Sequence, residues 1–154
     1  MSEISEIATV VGTILTAISL GSGVIVFLVN SRRERIKKTL DFWENINQQL
    51  KKEKRDLDRE YGTKITQEQA ISLIEDRDEA TKINRVLNIY ERMALGVNLG
   101  AYDIKVLNRM VRFNLISNYE RFEEYIVARR KKFERPFAWT EFEKLIKIIR
   151  KYRK

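Results

Sequence analysis

Apolar positions along this chain follow two regimes. Residues 7–29, Ile7 followed by ATVVGTILTAISLGSGVIVFLV, contain no charged residue, whereas the chain beyond them mixes charged and apolar positions with helical periodicity. At about 1.5 Å of rise per residue, a helix over such a run reaches roughly 35 Å, enough to cross a hydrocarbon core of about 30 Å. The run therefore predicts a transmembrane helix over residues 7–30, after a short extracytoplasmic segment, 1–6. A helix at the centre of a globular core is the weaker reading, because the rest of the chain is small for enclosing it on every side. A cleaved signal is weaker still: such segments open with positive charge, and this one opens with Ser2, Glu3, Ser5 and Glu6.

Past the run, Ile36, Trp43, Leu50 and Leu57 recur every seven residues, with Leu40, Ile46 and Tyr61 beside them. That stripe predicts an amphipathic juxtamembrane helix within residues 31–62, ended by Gly62. No Pro or Gly separates it from the run, so a continuous rod and a break near Asn30 and Ser31 are both open. Residues 63–154 continue one helical domain. Thr66 and Gln69 form a capping box for a short helix carrying Ala70, Ile71, Leu73 and Ile74. After a turn at 76–78, a helix over 79–95 presents Ile83, Val86, Leu87, Tyr90, Met93 and Ala94 on one face, and Gly96 closes it. A helix capped by Asp103 and running to about Lys132 follows, and then, beyond Pro136, a last helix from Thr140 to about Tyr152 that opens with Thr140-Glu-Phe-Glu143. No alternating strand pattern occurs. The predicted fold is all-α: one N-terminal transmembrane helix and a cytosolic bundle of about five helices.

Composition narrows the chemistry. The 154 residues contain no Cys and no His, which excludes disulfides, thiolate metal sites and thiol nucleophiles and removes the commonest general base. No phosphate loop, dinucleotide fingerprint or nucleophile triad is present, so no cofactor and no enzymatic activity are expected, leaving only a carboxylate-based catalyst open. The acidic stretch from Glu75 to Glu79 reads as a solvated turn rather than a cation site.

The net charge of +8 is concentrated at two places. Residues 31–38 hold five basic groups (Arg32, Arg33, Arg35, Lys37, Lys38) against Glu34, and residues 129–154 hold eleven against three acids. By the positive-inside rule, the basic flank of the apolar run predicts an N-terminus outside and a cytoplasmic C-terminal domain at the cell membrane. These basic groups, with Lys147 and Lys151 on the last helix, are candidates for contact with lipid headgroups of the bilayer. Nucleic acid is the competing partner for the basic C-terminal region. Within the run, Thr13, Ala17 and Gly21 fall at i, i+4 and i+8, a small-residue strip that suits self-association into a homo-oligomer.

The combination Leu40-Asp-Phe-Trp43, Tyr90-Glu-Arg-Met-Ala-Leu-Gly-Val-Asn-Leu-Gly-Ala-Tyr-Asp103, Asn118-Tyr-Glu-Arg-Phe122 and Trp139-Thr-Glu-Phe142 resembles a family of small bacterial and phage-associated membrane proteins with a domain of unknown function. The resemblance covers nearly the whole chain and implies an architecture, one span and a helical cytosolic domain, with no activity or catalytic residue attached.

Around the most specific of those segments, Tyr90, Glu91, Arg92, Asn98, Gly100, Tyr102, Asp103, Asn108 and Arg109 are candidates for a polar pocket. The competing reading is structural: Tyr90-Glu91-Arg92 recurs as Tyr119-Glu120-Arg121, and paired helices commonly carry ion pairs of this kind. The expected function is a membrane-anchored interaction or scaffold module that self-associates and holds a cytosolic protein partner, with a bacterial defence or stress effector as a subset. The alternative is a tethered nucleic-acid binder, for which the sequence shows no aromatic stacking platform.

Overall fold

The computed structural model describes residues 2–152, apart from the side chains of residues 2–11, 14, 15, 17, 20, 52, 54, 56 and 58. The described elements are all helices: α1 (Ser2–Tyr61), α2 (Gln67–Glu75), α3 (Arg77–Asn98), α4 (Ile104–Lys132) and α5 (Thr140–Lys151). The all-α expectation holds.

Among the described residues, no helix is long and apolar enough to cross a membrane. The transmembrane helix expected over 7–30 is corrected on that finding. In the described part, the longest unbroken apolar stretch is residues 24–29, roughly 9 Å of helix. It is preceded by Gly21, Ser22 and Gly23, with polar Ser19 and Thr16 a turn and two turns further back. The side chains of residues 7–11, and Ala17 of the small-residue strip, lie outside the described residues. Nothing interrupts the helix at Asn30 and Ser31, so the apolar run and the amphipathic helix after it are one rod of 60 residues.

The bundle is built against the far half of that rod. Ile46, Leu50 and Leu57 are buried, Trp43 is half-buried and Leu40 is exposed, so the seven-residue stripe works from its middle onward. Gly62, at φ 61°, ends α1 in the left-handed conformation that glycine adopts without strain. Thr66 caps α2 with both hydrogen bonds of the expected box. Asp76 ends α2 and begins α3, its carboxylate accepting from the N–H groups of Asp78 and Glu79, so the anticipated turn is a single shared residue.

One helix end differs from expectation. Gly96 does not close α3, which continues to Asn98. Gly96 is instead a place of close approach, since a Cβ there would lie 2.3 Å from Cε2 of Tyr102. Gly100, at φ 74°, makes the turn. The start of α5 is also unusual: Trp139 precedes it in a left-handed conformation with no side-chain cap of its own, and the Thr140 hydroxyl donates to the Phe137 carbonyl.

Candidate functional site

The repeated Tyr-Glu-Arg pairs explain how α5 is held. Tyr90 stacks on Phe142 with ring centroids 4.9 Å apart, and Tyr119 meets the same ring edge-on at 5.5 Å. Phe142 is fully buried between them, with Leu145, Ile146 and Ile149 continuing the buried face of α5. The Glu91 carboxylate accepts the backbone N–H groups of Glu141 and Phe142, at 3.1 and 2.7 Å. It supplies from α3 the cap that α5 lacks, where an anion also meets the positive end of the helix dipole. Glu120, the counterpart of Glu91, pairs with Arg150 at 2.8 Å. One helix of the repeat thus holds the start of α5 and the other its end.

The other candidate pocket residues are shared among four places. Asn98 donates to Oε2 of Glu141 at 2.7 Å, and Arg92 lines a surface cleft with Glu53 and Arg85. At the turn, Tyr102 packs on Phe42 with centroids 4.8 Å apart, and Asp103 caps α4 through the N–H groups of Lys105 and Val106. The Asp103 N–H donates to the hydroxyl of Thr39 at 2.8 Å, and that buried hydroxyl donates in turn to the Arg35 carbonyl at 2.6 Å. Asn108 accepts from Arg112, whose guanidinium also reaches the carbonyls of Ile149 and Tyr152, while Arg109 lines the neighbouring surface. Tyr90, Glu91 and Asn98 therefore serve the α3–α5 contact, and Gly100, Tyr102 and Asp103 serve the turn.

Electrostatics follow these contacts. The Glu143 carboxyl is held below the usual glutamate value, chiefly by a hydrogen bond from Lys147 and further by Arg130, against the opposing effect of burial. Glu141 is lowered by hydrogen bonds from Lys144 and Asn98. Burial raises the phenols of Tyr125 and Tyr119. The Glu75 to Glu79 stretch is taken up by capping at Asp76 and by pairing of Glu75 with Lys132 and of Glu79 with Lys82. Among the described residues, no group of three or more His, Cys, Asp or Glu could hold a metal ion.

Two surfaces remain conspicuous. The described side chains of residues 12–30 are all exposed, including Ile18 and the six apolar residues from Val24 to Val29. A cleft also opens between α3 and the turn before α5, beside Trp139.

The chain matches the family described as Domain of unknown function (DUF4760) over residues 4–150. It belongs to that family. No curated protein and no solved structure matches it. For this DUF4760 chain, the match spans the apolar half of α1 together with the bundle, so the projecting helix is part of the family's domain rather than an appendage to it.

Proposed function

We propose that this chain is a helical interaction module that assembles with copies of itself through the projecting half of α1, presenting the bundle as the part carried by the assembly. The observation behind this reading is the exposure of residues 24–29, which runs from 44% at Val29 to 70% at Phe27. Six successive residues point to every side of a helix, so this apolar surface encircles α1. At about 25 cal/mol per Å² of apolar area buried, covering it supplies a substantial driving force for association.

The neighbouring glycines suit a second helix as the cover. A Cβ built at Gly12, Gly21 or Gly23 meets nothing within 4 Å, leaving bare backbone against which another helix can pack closely. Charge supports an antiparallel arrangement. The sequence places Glu3 and Glu6 before the apolar run and five basic groups at residues 31–38 after it. Antiparallel copies set these opposite charges side by side, whereas parallel copies crowd like charges together. The narrower role of a bacterial defence or stress effector is supported only by the phage association of the resembling proteins.

Sedimentation equilibrium of the full chain tests the reading. A dimer or higher assembly is expected, and Val26→Glu with Phe27→Glu should yield monomers of unchanged helicity, because neither side chain packs on the bundle. A monomeric wild-type chain would overturn the proposal, as would a chain that stays monomeric and is recovered only with phosphatidylglycerol-containing vesicles.

A further inference from the structure

The cleft beside Trp139 has a volume of about 550 Å³, within the range of roughly 300–1,000 Å³ usual for small-molecule sites. Asn84, Asn88 and Glu91 of α3 form one wall, and Arg129, Phe133, Arg135, Phe137 and Trp139 form the other. We propose that it binds a nucleoside phosphate, with the phosphate held by Arg129 and Arg135 and the base stacked on Phe137.

Hydrogen-bonding capacity in the cleft is skewed towards donors. Asn88 accepts the indole N–H of Trp139 through Oδ1 at 2.9 Å. An indole can only donate, so this bond fixes which end of the carboxamide is engaged and leaves its NH2 group to spare. Asn84 likewise accepts the Tyr125 hydroxyl through Oδ1 at 3.0 Å. Both oxygens of Glu91 are occupied by the backbone of α5. Arg129, which also donates to the Tyr125 hydroxyl, and Arg135 line the cleft with the two carboxamides, while the oxygens of Asn84, Asn88 and Glu91 are engaged, which favours an acceptor-rich anion. A guanidinium fork suits phosphate in particular.

Aromatic rings accompany those cations. The Arg129 guanidinium lies over the Phe133 ring, 4.6 Å from its centroid. Phe137 is 82% exposed and Phe133 45%. Phe133 carries Arg129 and Lys132 on its ring, so Phe137 is the ring left open beside the cations, a surface on which any base can stack and the element that the basic C-terminal region lacked when read as sequence alone. That surface is also fixed in place. Glu134 and Trp139, at φ 52° and 56°, hold left-handed conformations costly for residues other than glycine and bracket the segment that carries Arg135 and Phe137. Arg130 ties that segment to α4 through the Ala138 carbonyl at 2.8 Å.

The same base and phosphate chemistry is offered by a free nucleotide and by one unit of a single strand. Titrating the full chain with adenosine monophosphate and with a twelve-residue oligothymidylate, followed by calorimetry and by tryptophan fluorescence, separates the two. Saturable binding of either supports the proposal. Comparable affinity for both assigns the site to a free nucleotide, and at least tenfold tighter binding of the oligonucleotide assigns it to a strand. Arg135→Gln and Phe137→Ala, both at exposed positions, should each weaken binding about tenfold, the order of one lost stacking or phosphate contact, with unchanged melting temperature. Failure of both probes to bind would overturn the proposal. So would affinities unaltered in both variants, or inorganic phosphate binding as tightly as adenosine monophosphate.

Discussion

The Glu91 carboxylate on α3 accepts the backbone N–H of Phe142, 51 positions further along the chain, at 2.7 Å. This bond closes the α3–α5 contact at the point where α5 begins and places the Phe142 ring against Tyr90. Glu91→Ala removes the side-chain acceptor of the Glu141 and Phe142 N–H groups in the first turn of α5. It should lower stability by about 1–2 kcal/mol, the usual cost of losing a cap, read as a shift of the urea midpoint. Glu91→Gln keeps the acceptor oxygen and loses the charge, so a smaller loss is expected.

A Cβ at Gly96 would lie 2.3 Å from Cε2 of Tyr102, whose ring also packs on Phe42 with centroids 4.8 Å apart. Gly96→Ala favours helix locally, by about 1 kcal/mol, but drives a methyl into that ring. With Tyr102 confined by Phe42, the clash should outweigh the propensity gain, giving a net loss of about 1–2 kcal/mol. Combining it with Tyr102→Ala should turn the same glycine substitution neutral or stabilising, and thermal unfolding of the four proteins closes this cycle.

Thr39 is a buried polar residue on α1, and its hydroxyl receives the N–H that precedes α4. Thr39→Val preserves the shape and orphans that donor. A loss of about 1–3 kcal/mol is expected, the cost of an unsatisfied buried group, whereas Thr39→Ser should retain most of the stability. Hydrogen exchange at Asp103 should accelerate in the valine variant and stay slow in the serine variant.

Glu143 contributes to the acid sensitivity of α5. Its carboxyl titrates below the ordinary value of 4.5 in the folded chain because Lys147 and Arg130 favour the charged form. The unfolded chain therefore takes up the proton first as pH falls. The associated stability is complete above about pH 4.5 and is lost as pH drops through the lower, folded value. Urea midpoints measured between pH 6 and 3 should decline, and Glu143→Gln should flatten part of that decline while lowering stability slightly at neutral pH.

What the linear order of residues determined by itself is local. Spacing of apolar positions, the Thr66 box, Gly62 and Asp103 place the helices, because capping and amphipathicity act within a few residues of each other. Tertiary structure decided the rest. The repeat of Tyr-Glu-Arg is visible as letters, yet its role in clasping Phe142 depends on two helices meeting a third, a relation no periodicity encodes. Gly96 reads as a stop, and only the Tyr102 ring above it reveals a site of close approach. The start of α5, preceded by the left-handed Trp139, has no local side-chain cap, and Glu91, distant in sequence, accepts its backbone donors. The apolar stretch of α1 reads as a membrane span when length and hydropathy are all that is known. Its exposed, glycine-lined surface, continuous with a charged rod, emerged only once the helix was seen whole, since continuity and exposure are properties of the folded chain.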